Sequence, residues 1–271
     1  MNPVFTGSLA CALYFIAASR VAFGLLHQPD AGRLRAKIQG QLLGIAALLL
    51  HAVVLYQLMH TGAGLNLGFF HAVSLVAWMI ALFVLIGTLN SPLENLTLLL
   101  YPLAAISLLL EVLIPSSRVL PDTTPVGLQA HILLSICAYS LLGVAALQAL
   151  VLAWQDRQLR HKHPGAIMRA LPPLQVMENL LFQLIMLGFF LLSLSLATGS
   201  MFLHDLFGQH LVHKTVLSVI AWIIFALLLW GRWARGWRGQ TAIRWTLGGF
   251  ACLMLAYFGS KLALELILNR V

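Results

Sequence analysis

Residues 127–154 read GLQAHILLSICAYSLLGVAALQALVLAW, a run with no Asp, Glu, Lys or Arg. About 20 apolar residues carry a helix across the hydrocarbon core of a bilayer. Inside lipid every backbone polar group must be bonded within the protein, which leaves helices and closed barrels. The polar residues of this run do not alternate with period two, as a barrel strand requires, so it is predicted to be a transmembrane helix. Within it His131, Ser135 and Tyr139 recur at i, i+4 and i+8 and share one face. A polar stripe on an apolar span faces other helices or a cavity rather than lipid.

Working outward, comparable runs fall at 4–26, 38–60, 66–88, 95–115, 179–203, 212–231 and 244–267. The 271 residues are 61% hydrophobic and 9% charged. A soluble domain carries about a quarter charged residues, so this chain lacks the polar groups to cover a water-facing surface. The expected fold is all-α: a single transmembrane domain over 1–271, a bundle of about eight helices with the lipid bilayer as its surroundings and no soluble part. The first segment lacks a basic leader and is long enough to span, so it is not expected to be a cleaved signal peptide. Segment 164–178, opened by Pro164 and broken at Pro172–Pro173, fits either a short interfacial piece or a plain loop. A GxxxG at Gly64–Gly68 sits at a span end and carries little weight.

The net charge of +8 does not imply a nucleic-acid partner, because the basic residues sit in short connections. Arg33, Arg35 and Lys37 occupy the first, Arg157, Arg160, Lys162 and Arg169 the fifth, and Arg232, Arg235, Arg238 and Arg244 the seventh. The even-numbered connections hold almost none, Arg118 and Lys214 excepted. Basic loops stay inside, so the odd connections are predicted to be cytoplasmic and both termini external, in the cytoplasmic (inner) membrane of a bacterium. Trp230, Trp233, Trp237 and Trp245 around the seventh connection read as interfacial anchors. Cys11, Cys137 and Cys252 lie in apolar runs without a CxxC pair, which argues against dithiol chemistry.

Ten histidines stand beside only eight acidic residues. On this topology His60, His71, His131, His204, His210 and His213 fall at external span ends or loops, and His51 lies inside the second span. An ionisable residue within the membrane is costly and marks function, and histidine is both a haem ligand and the commonest transition-metal ligand. Packing between helices accounts for a span-end histidine as well. Glu111, Asp122 and Asp205 are also placed externally, where a carboxylate can orient a ligand histidine through its second ring nitrogen. No hydrolase triad, P-loop or HExxH is present, and no enzymatic activity is expected. A metal-ion permease would need charged groups across the bilayer that these spans do not supply.

Three stretches resemble the cytochrome c assembly family (the CcsA, CcmC and HemX-like group of haem-handling membrane proteins). AHILLSICAY at 130–139 resembles the family's H-x-x-x-S-x-x-x-Y segment. LPPLQVME at 171–178, running on to Ala197-Thr198-Gly199, is similar to the family's LP-x-L-x-x-(L/M)-(E/D) start and T-G exit. His51 within LLLHAVVL and the stretch Leu67 to Trp78 resemble the second and third spans. The resemblance implies eight spans and haem held on the external face between two external histidines, beneath a tryptophan-rich segment. His131 matches one of those histidines and is the expected axial ligand to the haem iron.

The sequence also departs from the family. Only Lys214 remains of the WDPK-type segment, at Leu211-Val212-His213-Lys214, and no tryptophan lies between Gly199 and Lys214. Tyr257-Phe258-Gly259-Ser260 stands where the second external histidine is expected. Trp230-Gly231-Arg232 stands where the family has a histidine at the cytoplasmic end of the seventh span. The candidate cofactor-binding residues are therefore His131, His51, His71, His204, His210 and His213, the cofactor haem. The expected function is haem handling in cytochrome c assembly or haem delivery, with apocytochrome c as a partner. The alternative is a non-catalytic accessory subunit of a transporter or haem-biosynthesis enzyme, on a scaffold that has lost haem.

Overall fold

The computed structural model describes residues 2–27, 30–62, 64–90, 94–114, 119–121, 125–160, 171–202 and 212–259. Among them are eight α-helices: α1 Pro3–His27, α2 Asp30–Met59, α3 Phe69–Asn90, α4 Glu94–Leu113, α5 Val126–Arg160, α6 Leu174–Phe202, α7 Val212–Arg235 and α8 Gln240–Met254. The first seven contain stretches long and apolar enough to cross a membrane. The last runs on as a π-helical turn, Leu255–Gly259. Of the predicted span 244–267, residues 260–267 lie outside the described residues. The all-α polytopic fold is as the composition implies.

At their basic ends three helices run past the predicted spans, while α3 begins at Phe69 rather than 66 and α4 ends at Leu113 rather than 115. α2 begins at Asp30 rather than 38, α5 runs to Arg160 rather than 154, and α7 runs to Arg235 rather than 231. Arg33, Arg35, Lys37, Arg157, Arg160, Arg232 and Arg235 are thus helical, not loop residues. Hydropathy marks where lipid ends, but a helix continues as long as its hydrogen bonds do. At 1.5 Å per residue, the 35 residues of α5 extend about 52 Å, well beyond the ~30 Å hydrocarbon core. Of segment 164–178, residues 164–170 lie outside the described residues, and the rest leads straight into α6. The Pro173 carbonyl accepts from the Val176 and Met177 amides at 2.9 and 3.2 Å, which starts that helix.

The chain divides into two compact units, the first built from α1–α4 and the second from α5–α8. In the first, α1 packs along α2 and α4, and α3 along α4. Small residues set the approach: a Cβ added at Gly40 would lie 2.5 Å from Val21, and one at Gly24 2.5 Å from Ala36. Without a hydrophobic force between helices in lipid, such close backbone contact is what holds them together. Tyr14, Ala17, Ala47, Leu48, Ala81, Tyr101 and Ala104 form the core between these helices.

A small antiparallel sheet joins the ends of this unit's helices and was not foreseen. Its strands are β1 His60–Thr61, β2 Gly64–Asn66 and β3 Val119–Pro121, in that order. Gly64 pairs with Pro121, Leu65 with Leu120 and Asn66 with Val119. The Gly64–Gly68 motif is therefore a strand and a helix start rather than a helix contact, with Gly64 at φ 131°. Strands this short have no alternating pattern to read, and only their pairing reveals them.

In the second unit α5 and α6 lie antiparallel over most of their length, and α8 packs on α5 and α7. Gly188 admits the Leu142 side chain, to which an added Cβ would come within 2.7 Å. The Gln148 amide donates to the Met177 carbonyl at 3.2 Å between the same helices.

Candidate functional site

The polar stripe of α5 meets the end of α6. His131 Nδ1 lies 2.9 Å from the backbone carbonyl of Ser195. A carbonyl oxygen only accepts, so Nδ1 must carry the proton. Nε2 is then left with its lone pair and has no hydrogen-bond partner among the described residues. A hydrogen bond at one ring nitrogen fixes which nitrogen is free to bind a metal. Thr198 donates to the same Ser195 carbonyl at 3.0 Å and its hydroxyl lies 3.4 Å from His131 Nδ1.

The other members of the motifs build the seat of this ring. Ser135 donates to the His131 carbonyl at 2.7 Å, and its hydroxyl meets that of Ser195 at 2.7 Å. Gly199 supplies the room: a Cβ there would approach His131 Cε1 to 3.0 Å and Nδ1 to 3.3 Å. The H-x-x-x-S segment and the T-G pair, 64 residues apart at His131 and Ser195, are one structure in space. Tyr139, a further turn along α5, packs instead against Phe250 and Tyr257 as tilted rings, with centroids at 5.3 and 5.7 Å. Eight residues turn a helix through a little over two full circles, so the stripe has rotated from α6 towards α8.

These residues fit a haem ligand. The donor is a part-buried imidazole with a set tautomer, backed by a backbone acceptor and cradled at a glycine. Among the described residues no cluster of three or more His, Cys, Asp or Glu side chains is placed to hold a bare metal ion. A single oriented imidazole suits a metal whose remaining ligands come with its own macrocycle.

The other candidate histidines are placed differently. His51 is wholly buried, with Nδ1 3.2 Å from the Tyr14 hydroxyl and Nε2 2.8 Å from Ser74 Oγ. Its two nitrogens are both engaged. His71, at the start of α3, has Nδ1 2.9 Å from Glu111 Oε1 of α4. His204 and His210 lie outside the described residues, as does the side chain of His213. The tryptophan-poor segment 203–211 and the carboxylates Asp122 and Asp205 lie outside them too.

The opposite end of the second unit holds a cluster that the sequence did not single out. Glu178, the acidic residue closing the LPPLQVME stretch, accepts from Arg232 at 2.7 Å and from Arg238 at 2.9 Å on the same oxygen. Its other oxygen accepts the Gly239 amide at 3.2 Å. Arg232 also reaches Asn179 Oδ1 at 3.3 Å, and its guanidinium sits 4.5 Å from the Phe182 ring centroid. Trp237 stacks near Trp245 at 5.3 Å, while Trp230 and Trp233 stay exposed as anchors do. A lone carboxylate at the foot of an apolar run beside an arginine-rich connection was the available signal.

The profile of the family described as "Cytochrome C assembly protein" matches residues 39–268. The "Inner membrane protein YpjD" of Escherichia coli K12 is 35% identical over 267 residues, covering 98% of this chain and 99% of that one. An "Uncharacterized 28.8 kDa protein" of Azospirillum brasilense is 34% identical over 53% of this chain and 54% of its own length. The "Cytochrome c biogenesis protein CcsA" of Prochlorococcus marinus MIT 9303 is 22% identical over 96% of this chain and 91% of its own length. No solved structure matches.

Proposed function

This chain belongs to the cytochrome c assembly protein family, and on that premise we propose that it holds haem at His131 and assists cytochrome c assembly or haem delivery. It is a multi-pass protein of the inner membrane. The observation that carries the reading is the Ser195 carbonyl on His131 Nδ1, which leaves Nε2 as an oriented donor. Bound haem would supply an iron able to accept an imidazole nitrogen, and His131 would hold it. The chain supplies the tautomer, through Ser195, and the seat, through Ser135, Thr198 and Gly199. The function is that of a carrier, not of a turnover catalyst.

The charge pattern supports a direction. Arg157, Arg160, Arg232, Arg235 and Arg238 gather at the end of the second unit remote from His131, since α5 carries His131 near its start and Arg160 at its end. Basic residues stay on the cytoplasmic side, so His131 faces outward, where cytochrome c is assembled.

The test is an absorption spectrum of the detergent-purified protein, as isolated and after haemin addition, for wild type and His131→Ala. A Soret band in the wild type, lost in the variant, is the expected result. A colourless wild type that ignores haemin overturns the reading. The absence of tryptophan between Gly199 and Lys214 favours a second reading, that of an accessory subunit without haem. A membrane-protein partner that co-purifies with haem-free wild type and with His131→Ala alike would establish that one instead.

A further inference from the structure

The sheet-bearing end of the first unit holds another oriented histidine. His71 is the third residue of α3 and Glu111 the third from the end of α4, and these helices pack together. His71 Nδ1 and Glu111 Oε1 are 2.9 Å apart, with side-chain exposures of 7% and 0%. The second carboxylate oxygen, Oε2, is sealed from solvent and has no hydrogen-bond partner among the described residues.

Burying a carboxylate at a membrane-protein helix end is expensive, more so with one oxygen unsatisfied. A contact needed only for packing would be met more cheaply by an amide or hydroxyl. What a carboxylate adds on an imidazole Nδ1–H is basicity at the other nitrogen, together with a fixed tautomer and ring orientation. That other nitrogen, Nε2 of His71, has no hydrogen-bond partner among the described residues.

The surroundings hold the pair rigidly. β2 leads into α3 and β3 follows α4, so the Leu65–Leu120 pairing ties the start of one helix to the exit of the other. Asn66 Oδ1 accepts the Gly68 amide at 3.1 Å, and the Gly68 carbonyl accepts the Ala72 amide at 2.9 Å, fixing the first turn that carries His71. Ligand side chains need such support from a second layer of bonds. Three residues further along α3, Ser74 occupies the second nitrogen of His51. Among the described residues no comparable group sits on His71 Nε2.

We propose that His71, oriented by Glu111, is a ligand to haem iron in the first unit, with Glu111 as its positioning residue. The proposal rests on the haem reading above. Nε2 donates its lone pair, Nδ1–H stays on Glu111 Oε1, and no proton or electron moves on binding. The extra basicity favours the ferric state over the ferrous one and so lowers the reduction potential.

The experiment is haemin titration and potentiometry of the full-length purified protein for wild type, His131→Ala, His71→Gly and Glu111→Gln. His71→Gly is expected to lose haem absorbance, and added imidazole to restore it by entering the vacated space. Glu111→Gln, nearly isosteric and still able to accept from Nδ1–H, is expected to keep its haem while the reduction potential rises. A merely structural role moves neither the imidazole rescue nor the potential. His71→Gly and Glu111→Gln proteins indistinguishable from wild type, beside a haem-free His131→Ala, overturn this proposal and leave the His131 reading standing. Haem lost from His71→Gly but kept in His131→Ala does the reverse. An unrescued loss in His71→Gly with an unchanged potential in Glu111→Gln also overturns the proposal.

Discussion

His51 lies in the middle of α2 with no exposed surface, bonded through one ring nitrogen to Tyr14 of α1 and through the other to Ser74 of α3. His131, in the second turn of α5, gives one nitrogen to the Ser195 carbonyl of α6 and keeps the other. Both sit in apolar sequence, and both are costly in lipid unless paired. The difference lies in the ring nitrogens: the fold engages both on His51 and one on His131. His51 ties three helices together and has nothing left to offer, whereas His131 is held at one point and open at another.

The comparison can be broken at either histidine. The largest effect on stability is expected for His51→Leu, which strands the Tyr14 hydroxyl and the Ser74 hydroxyl. At about 0.6–1.7 kcal/mol per hydrogen bond within a membrane, the loss is about 2 kcal/mol, read as a lower unfolding midpoint in detergent with haem uptake per folded protein unchanged. Loss of haem without loss of stability would place His51 among the ligands. Gly199→Val acts on His131 through space, since its Cβ begins 3.0 Å from the ring. Overpacking typically costs about 1–3 kcal/mol, so haem affinity should fall by roughly 5- to 140-fold, each 1.4 kcal/mol being a factor of ten. Unchanged affinity would mean that the ring is not where haem binds.

Smaller changes sharpen it. Ser74→Ala frees one nitrogen of His51 and costs about 0.6 kcal/mol. It should create no new haem absorbance, because that nitrogen remains enclosed; a gained Soret band would contradict the enclosure. Ser195→Ala is expected to do least. It removes the hydroxyl bonded to Ser135 but keeps the backbone carbonyl on which His131 depends. A stability change of about 0.6 kcal/mol with an unaltered haem spectrum is the expected outcome, and a lost spectrum would show that the hydroxyl rather than the carbonyl orients the ring.

Much of the fold was legible because crossing a membrane is a local demand. Each of the first seven spans shows itself within its own twenty or so residues, and the helices found there follow. The ends were less legible: α2, α5 and α7 carry their basic residues on helical turns beyond the apolar stretch, where hydropathy no longer reports on backbone hydrogen bonding. The three-stranded sheet was invisible, since two- and three-residue strands exist only through partners such as Asn66 and Val119, more than fifty residues apart. Glu178 was quoted as part of a motif but given no role, because Arg232 and Arg238 reach it from more than fifty residues along the chain, at the end of α7 and just beyond it.

The sequence by itself determined that this chain lives in the bilayer as a helical bundle, which family it resembles, and that His131 shares a face with Ser135. Those conclusions depend on composition, order and helical period, all of them properties of neighbouring residues. Only the tertiary structure decided which nitrogen of each histidine is spent. Ser195 reaches His131, Ser74 reaches His51 and Glu111 reaches His71 across separations of 64, 23 and 40 residues. A ring nitrogen's freedom depends on those distant groups, because a hydrogen bond is decided over 3 Å of space and not by distance along the chain.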